Sequence, residues 1–191
     1  MIDLKDKQLI LASASPRRKW LMDELGVPFS VQPKNVEELY PDSLKAEEIP
    51  LFLSKLKAAA FSQEELDGKI VLTADTIVWL NGAELQKPID LEDAKRMIGL
   101  LSGSTHEVYT AITIRTSEQI ISDFDKTKVQ FRTLSDAEID FYVEKYKPLD
   151  KAGAYGIQEW IGYIGIEKIE GCYFNVMGLP LRKVYSVLNL I

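Results

Sequence analysis

The sequence predicts an α/β domain, and three observations carry that reading. Residues 9–26 form a strand, tight loop and helix in immediate succession; residues 70–80 are a long apolar run with the length of a buried strand; and stripes of apolar residues at helical spacing alternate with these strands. With 191 residues, 46% of them apolar, the chain can bury one core, as a single domain with room for two lobes.

In the opening unit, the apolar residues 9–12 read as a short buried strand. Ser13–Ser15 are a small polar loop, Ser15 is suited to cap a helix, Pro16 sits at the favoured first helical position, and Gly26 closes the far end. Backbone N–H groups left free at a helix N-terminus attract anions, and Arg17 and Arg18 follow directly. Two cations in a first turn oppose the helix dipole unless an anion compensates, so a phosphate grip is favoured over two solvated side chains. Neither GxxxxGK[ST] nor GxGxxG is present.

Residues 27–32 read as a second strand. It leads into a loop holding Asn35, Glu37 and Glu38, whose carboxylates belong in solvent unless the fold returns them to Ser15 and Arg17. Ile49, Leu53, Leu56 and Ala60 mark one helix face, with Pro50 tolerable only in the first turn and Lys57 placed most simply on the outer face. Within the strand 70–80, Asp75 is costly to bury unless it is hydrogen-bonded, paired or metal-bound. A functional acid in a cleft is favoured there over an aspartate at a bulge. Asn81-Gly82 predicts a tight hairpin whose return carries Leu85, Gln86 and Lys87 and brings Lys87 towards Asp75.

Asp90 caps a predicted helix over 91–101, with Ala94, Met97, Ile98 and Leu101 facing the core and Gly103 closing it. A strand over 107–115 shows Val108, Thr110, Ile112 and Ile114 on one side; a short strand near Val129 and Phe131 follows an acidic, turn-rich connection. Ser135 and Glu138 make a capping box for a helix through Ile139, Tyr142, Val143 and Tyr146. Residues 150–158, with Gly153 and Gly156, suit the wall of a ligand site. A hairpin across Glu170-Gly171, joining 163–169 to 172–176, and a last helix from Pro180 with Leu181, Val184, Leu188 and Ile191 inward complete the reading.

Composition narrows the function. A formal charge of −6 with no basic face or tail argues against nucleic-acid binding, and the single cysteine, Cys172, excludes an internal disulfide. His106, the only histidine, fits a surface or hydrogen-bonded role better than a catalytic one. Residues 1–10 lack a secretory apolar core, and no apolar run reaches the roughly 20 residues of a membrane helix, so a soluble, cytoplasmic protein with no membrane partner is expected.

SASPRR at 13–18, ADT at 74–76, KP at 87–88, LSG at 101–103, DKAGAYGIQ at 150–158 and NVMGLP at 175–180 together resemble the Maf family of nucleoside triphosphate pyrophosphatases. The resemblance implies a fold related to the inosine triphosphatase group: a long, mixed, twisted central sheet flanked by helices, with two lobes around a cleft. It also implies hydrolysis of a nucleoside triphosphate between the α and β phosphates, aided by a divalent cation such as magnesium or manganese. By position, Asp75 becomes the catalytic acid group, as proton acceptor or metal ligand, and Glu38 its partner at the metal. Ser13, Ser15, Arg17, Arg18, Lys57 and Lys87 become phosphate and substrate contacts. Arg17, Thr76 and Gln158 fall at positions tied to base selection, and the ADT and GIQ forms resemble the dTTP/UTP subgroup. A homodimer is in keeping with the family. Two other readings share the site: a nucleotide-binding regulator of septum formation with little catalysis, and a purine triphosphatase of the inosine type.

Overall fold

The computed structural model describes residues 2–191. Seven strands form one mixed sheet: β1 (Gln8–Leu11), β2 (Phe29–Val31), β3 (Lys69–Leu80), β4 (Ala83–Leu85), β5 (Thr105–Arg115), β6 (Ile120–Phe131) and β7 (Ile166–Glu170). The helices are α1 (Pro16–Glu24), α2 (Glu48–Ala59), α3 (Leu91–Leu101), α4 (Asp136–Tyr146), α5 (Trp160–Gly165), α6 (Tyr173–Met177) and α7 (Leu181–Leu188). The order across the sheet is β2-β1-β3-β5-β6-β7. The pairs β2–β1 and β1–β3 are parallel and the remainder antiparallel, and β4 also lies against β3. Among the described residues no helix is long and apolar enough to cross a membrane.

The central strand is β3, and its two edges differ. One edge pairs continuously with β5 from Val71 to Trp79. On the other edge β1 ends opposite Leu72, and antiparallel β4 ends opposite Val78. The backbone between them has no strand partner on that side, and Asp75 lies at the centre of this gap. Because successive side chains of a strand point to opposite faces, Thr73, Asp75 and Ile77 face α2 while Ala74, Thr76 and Val78 face the main core. Thr73 donates to the Ser54 carbonyl of α2 at 2.7 Å, and Ile77 packs with Ile49 and Leu53.

Local signals behave as their chemistry dictates. Ser15 caps α1, Asp90 caps α3, and Ser135 with Glu138 completes a capping box on α4. Asn81 and Gly82 both take positive φ, as a tight hairpin requires. The stripe Ala94, Met97, Ile98 and Leu101 is buried as expected. On α2 the face closes on buried Ala58, while Ala60 is exposed and lies beyond the helix.

Three stretches depart from expectation. β5 is buried on both faces over most of its length, because helices cover the sheet on each side. β6 runs from Ile120, well before Val129, and pairs with β5 throughout. Its polar residues are paired across the sheet, Ser122 with the Thr113 hydroxyl at 2.9 Å and Thr127 with the Cys172 carbonyl at 3.0 Å. The hairpin across Glu170-Gly171 is absent: 160–165 is helical, β7 pairs with β6, and 173–177 is a short helix. Gly171 explains the turn, since at φ +133° a Cβ would come within 3 Å of the β6 backbone and the Thr127 hydroxyl. The chain thus folds back over the sheet and inserts Asn175, which is fully buried. Its amide donates to the Val108 carbonyl and Thr127 hydroxyl, both at 2.9 Å, and its carbonyl accepts from the Thr110 N–H at 3.1 Å.

His106 is buried beneath the 150–158 segment, with Nε2 at 2.7 Å from the Tyr155 hydroxyl and no protein partner at Nδ1. Burial lowers its pKa from 6.5 to about 4.

Two stability predictions follow from these buried polar groups. Asn175→Leu leaves several buried backbone and hydroxyl groups unpaired and should cost on the order of 2–4 kcal/mol, read from urea unfolding midpoints. For His106 the unfolded chain takes up a proton first, so the stability present above pH 6.5 is lost as pH falls towards 4. Urea titrations between pH 7.5 and 5 should show this slope in the wild type and not in His106→Gln.

Candidate active site

The gap along β3 opens into a cavity of about 580 Å³. Every site residue that the resemblance implied lines it: Ser13, Ser15, Arg17, Arg18, Glu38, Lys57, Asp75, Thr76, Lys87 and Gln158. Glu37 stays exposed, and His106 lies outside the lining.

On the α2 side, Lys57 does not occupy an outer face. It projects back to the sheet, where its ammonium lies 2.5 Å from Asp75 Oδ1 and 3.0 Å from Glu38 Oε1. The loop after β2 therefore does return a carboxylate to the site, as the sequence required for Glu38 to matter. Asp75 is only 6% exposed, and burial raises its pKa although Lys57 and Arg18 pull the other way. Glu38 is nearer solvent. Burial works on it in the same sense, but the Lys57 ammonium, with Lys87 and Arg18, outweighs that effect and lowers its pKa. One carboxylate is thus held as a ready anion, while the other resists ionisation.

On the opposite face, α1 presents its N-terminus with no acidic residue in the first turn. Ser13 Oγ accepts from the Ser15 N–H at 3.3 Å and from Arg18 at 3.4 Å. Arg18 is spent largely inside the protein. Its guanidinium donates to the carbonyls of Ala74 and Gly178, both at 2.8 Å, and to the Thr76 hydroxyl at 3.1 Å. The Ala74 bond serves the strand edge that β1 and β4 leave bare. Burial lowers the Arg18 pKa, with Asp75 opposing. Arg17 instead reaches across to Asp150, at 2.9 Å in a partly exposed bridge.

The 150–158 segment forms the far wall. Gly153 has φ +65°, and its N–H donates to the Gln86 carbonyl at 3.1 Å, tying the wall to the chain beyond β4. Lys151 bridges Asp150 at 2.8 Å and Glu159 at 3.2 Å, and Tyr142 donates to Glu159 while accepting the Gly156 N–H. Gln158 Oε1 is buried without a protein partner. The Thr76 hydroxyl is already engaged by Arg18 and by Thr110 at 2.9 Å.

Among the described residues no three histidine, cysteine or acidic side chains gather as an all-protein cation site. Glu38 and Asp75 on one ammonium are instead a donor pair of the sort that holds a small hard cation when phosphate oxygens complete the shell. Sequence reasoning missed further polar residues of the lining, among them Lys34, Tyr40 and Glu84. Tyr40 donates its hydroxyl to Glu84, whose pKa is raised by burial. A lone tyrosine in a loop and a glutamate on a three-residue strand give no periodic signal.

A family model described as Maf-like protein matches residues 8–191. The chain belongs to the Maf family. It is 50% identical over 188 residues to a protein of Phocaeicola vulgatus, covering 98% of this chain and 97% of that one. It is 50% identical over 186 residues to a protein of Flavobacterium johnsoniae, covering 97% and 96%. Both are named dTTP/UTP pyrophosphatase. Among solved structures, the Staphylococcus aureus Ham1 protein superposes with a TM-score of 0.54 at 16% identity, covering 95% of this chain and 98% of that one, so the fold is shared. Five of the six Maf motifs thus contribute lining residues to the cleft, and the sixth, LSG, ends α3.

The opposing pKa directions give a test of this site. An aspartate whose pKa is raised on folding stabilises the protein fully only at low pH, and that contribution is lost as pH rises above the ordinary carboxylate value. Asp75→Asn should therefore unfold at a higher temperature than wild type at pH 7 with chelator present, and the difference should close as pH falls below about 4. A lower midpoint at pH 7 would show that the Lys57 pair outweighs the cost of burial.

Proposed function

We infer that this Maf chain hydrolyses dTTP and UTP to the nucleoside monophosphate and pyrophosphate, clearing these nucleotides or their modified relatives from the pool. The observation that carries the reading is the Asp75–Lys57–Glu38 cluster facing the α1 N-terminus across one cleft, in a chain half identical, end to end, to dTTP/UTP pyrophosphatases.

The reaction adds water across the anhydride between the α and β phosphorus atoms. Arg17, Lys87, Lys57 and the free N–H groups at the start of α1 hold the phosphate oxygens, with Ser13 and Ser15 shaping that loop. Asp75 takes the proton of the attacking water, and its raised pKa brings it nearer the range of an effective general base. A magnesium or manganese ion held by Glu38 and Asp75 supplies charge neutralisation to the triphosphate when bound. Lys57 keeps both carboxylates in place beside the polyanion. Most of the acceleration comes from positioning and charge, since general-base catalysis contributes on the order of 10²- to 10⁴-fold.

Base selection rests on Gln158 and Arg17 directly and on Thr76 indirectly. Gln158 brings an unpartnered amide oxygen that the N3–H of uracil or thymine would satisfy, and a base without that donor leaves it unpaired. Thr76 acts through Arg18, whose guanidinium it helps to fix.

Pyrophosphate release should be readily measured with dTTP and UTP plus magnesium or manganese and should be much slower with ITP. Asp75→Asn should lose roughly 10²- to 10⁴-fold in kcat. Arg17→Ala should lower kcat/KM with an unfolding temperature close to wild type, because its bridge to Asp150 is a surface pair worth at most about 1 kcal/mol. No turnover of either pyrimidine triphosphate would overturn the assignment.

A further inference from the structure

Glu38 depends on a segment with little support of its own. Between β2 and α2, residues 33–47 form neither strand nor helix. Among the described residues, the backbone of 33–43 makes one hydrogen bond, and that is local, from the Leu44 N–H to the Pro41 carbonyl. Leu44 and Ala46 anchor its far end against the apolar cluster beside α2, and three polar side chains tie the rest to the body of the protein: Lys34 to Glu65 at 2.5 Å, Glu38 to Lys57 at 3.0 Å, and Tyr40 to Glu84. The first joins Lys34, itself on the cleft lining, to Glu65 outside it, and as a cation facing the cleft Lys34 would also be disturbed by a bound phosphate. The second is the functional contact itself, which a cation or phosphate would disturb on binding. Tyr40–Glu84 is therefore the tie at the cleft that stays free of the chemistry.

Its surroundings suit that purpose. Tyr40 packs its ring at the edge of the apolar cluster of Ile49, Leu53, Ile77 and Tyr109, directly under the Lys57 helix and the Asp75 strand. Its hydroxyl donates to Glu84 on β4, and Gln86 Nε2 lies 3.4 Å from the same hydroxyl. The Gln86 carbonyl in turn accepts from Gly153 at the start of the far wall. One hydroxyl thus joins the Glu38 segment to the β3–β4 hairpin, and through it to the wall that carries Gln158.

We propose that Tyr40 and Glu84 are positioning residues: their hydrogen bond clamps the 33–47 segment to the β3–β4 hairpin and so holds Glu38 against Lys57 and Asp75. The clamp acts through Glu38, two residues away, and touches no reacting atom. The proposal rests on the pyrophosphatase reading for its consequence in turnover, and on the fold alone for its consequence in local order.

The test uses the full chain with Tyr40→Phe, Glu84→Leu and Glu84→Gln, each made in the wild type and in Glu38→Gln. Steady-state turnover of dTTP is measured alongside limited proteolysis by thermolysin at sites within 33–47. Tyr40→Phe and Glu84→Leu should each lower kcat/KM about tenfold, the worth of one lost hydrogen bond, and cause no further loss once Glu38 is Gln. Glu84→Gln, whose amide oxygen still accepts from the hydroxyl, should stay within about threefold of wild type. Cleavage within 33–47 should quicken in Tyr40→Phe and Glu84→Leu, with strands β3 and β5 left uncut. Equal losses in both Glu38 backgrounds, or an unchanged cleavage rate in 33–47, would overturn the clamp. A wild type that releases no pyrophosphate would count against the pyrophosphatase reading alone, and the proteolysis data would then decide the clamp.

Discussion

Backbone groups on a strand edge must find partners, and on β3 they are served by three different structures in succession. β1 pairs it up to Leu72, the Arg18 guanidinium takes the Ala74 carbonyl, and β4 pairs it again from Val78. The site follows from this interruption. Had β1 continued, the Ser13–Arg18 loop could not approach the sheet, and Asp75 would be closed in between neighbouring strands. With the gap in place, one face of the strand offers Asp75 to Lys57, while the other offers Thr76 to Arg18. Two helices from separate parts of the chain thus deliver cations to adjacent residues from opposite sides.

The gap also explains the unequal treatment of the two arginines. Arg18 substitutes for a missing strand, and its donors are consumed in doing so. A lysine there could not serve two carbonyls and two hydroxyls at once, because that pattern needs a planar fork of donors. Arg17, one residue earlier, has one protein partner at the surface and keeps donors for a ligand. Adjacent identical residues therefore differ: Arg18 is consumed inside the protein and Arg17 stays at the rim with donors to spare, because successive residues of a helix point in different directions.

Much of this could be read from the chain because its signals are local. Ser15 and Pro16, Asn81-Gly82, Asp90, and Ser135 with Glu138 each specify backbone geometry within a few residues, and Asp75 stood out as a charge inside an apolar strand. The readings that failed depend on distant partners. Ser122 and Thr127 look like loop residues until Thr113 and Asn175 are placed opposite them. Residues 172–176 look like a strand until Gly171 turns the chain back across β6. Lys57 looks solvated because nothing near it in sequence shows that Asp75 and Glu38 converge upon it. Tyr40 and Glu84, forty-four positions apart, carry no pattern at all.

The bridge between Arg17 and Asp150 has a meaning beyond its small stabilising energy. Asp150 also neutralises Lys151, so its carboxylate sits between two cations at the rim of the cleft, in the manner of an anionic ligand. Any anion that approaches Arg17 meets a charge already there, so its binding would be an ion exchange in which the net electrostatic gain is the difference between two anions. Such a swap disfavours singly charged competitors, which gain little by replacing a tethered carboxylate, and rewards ligands that bring several charges at once.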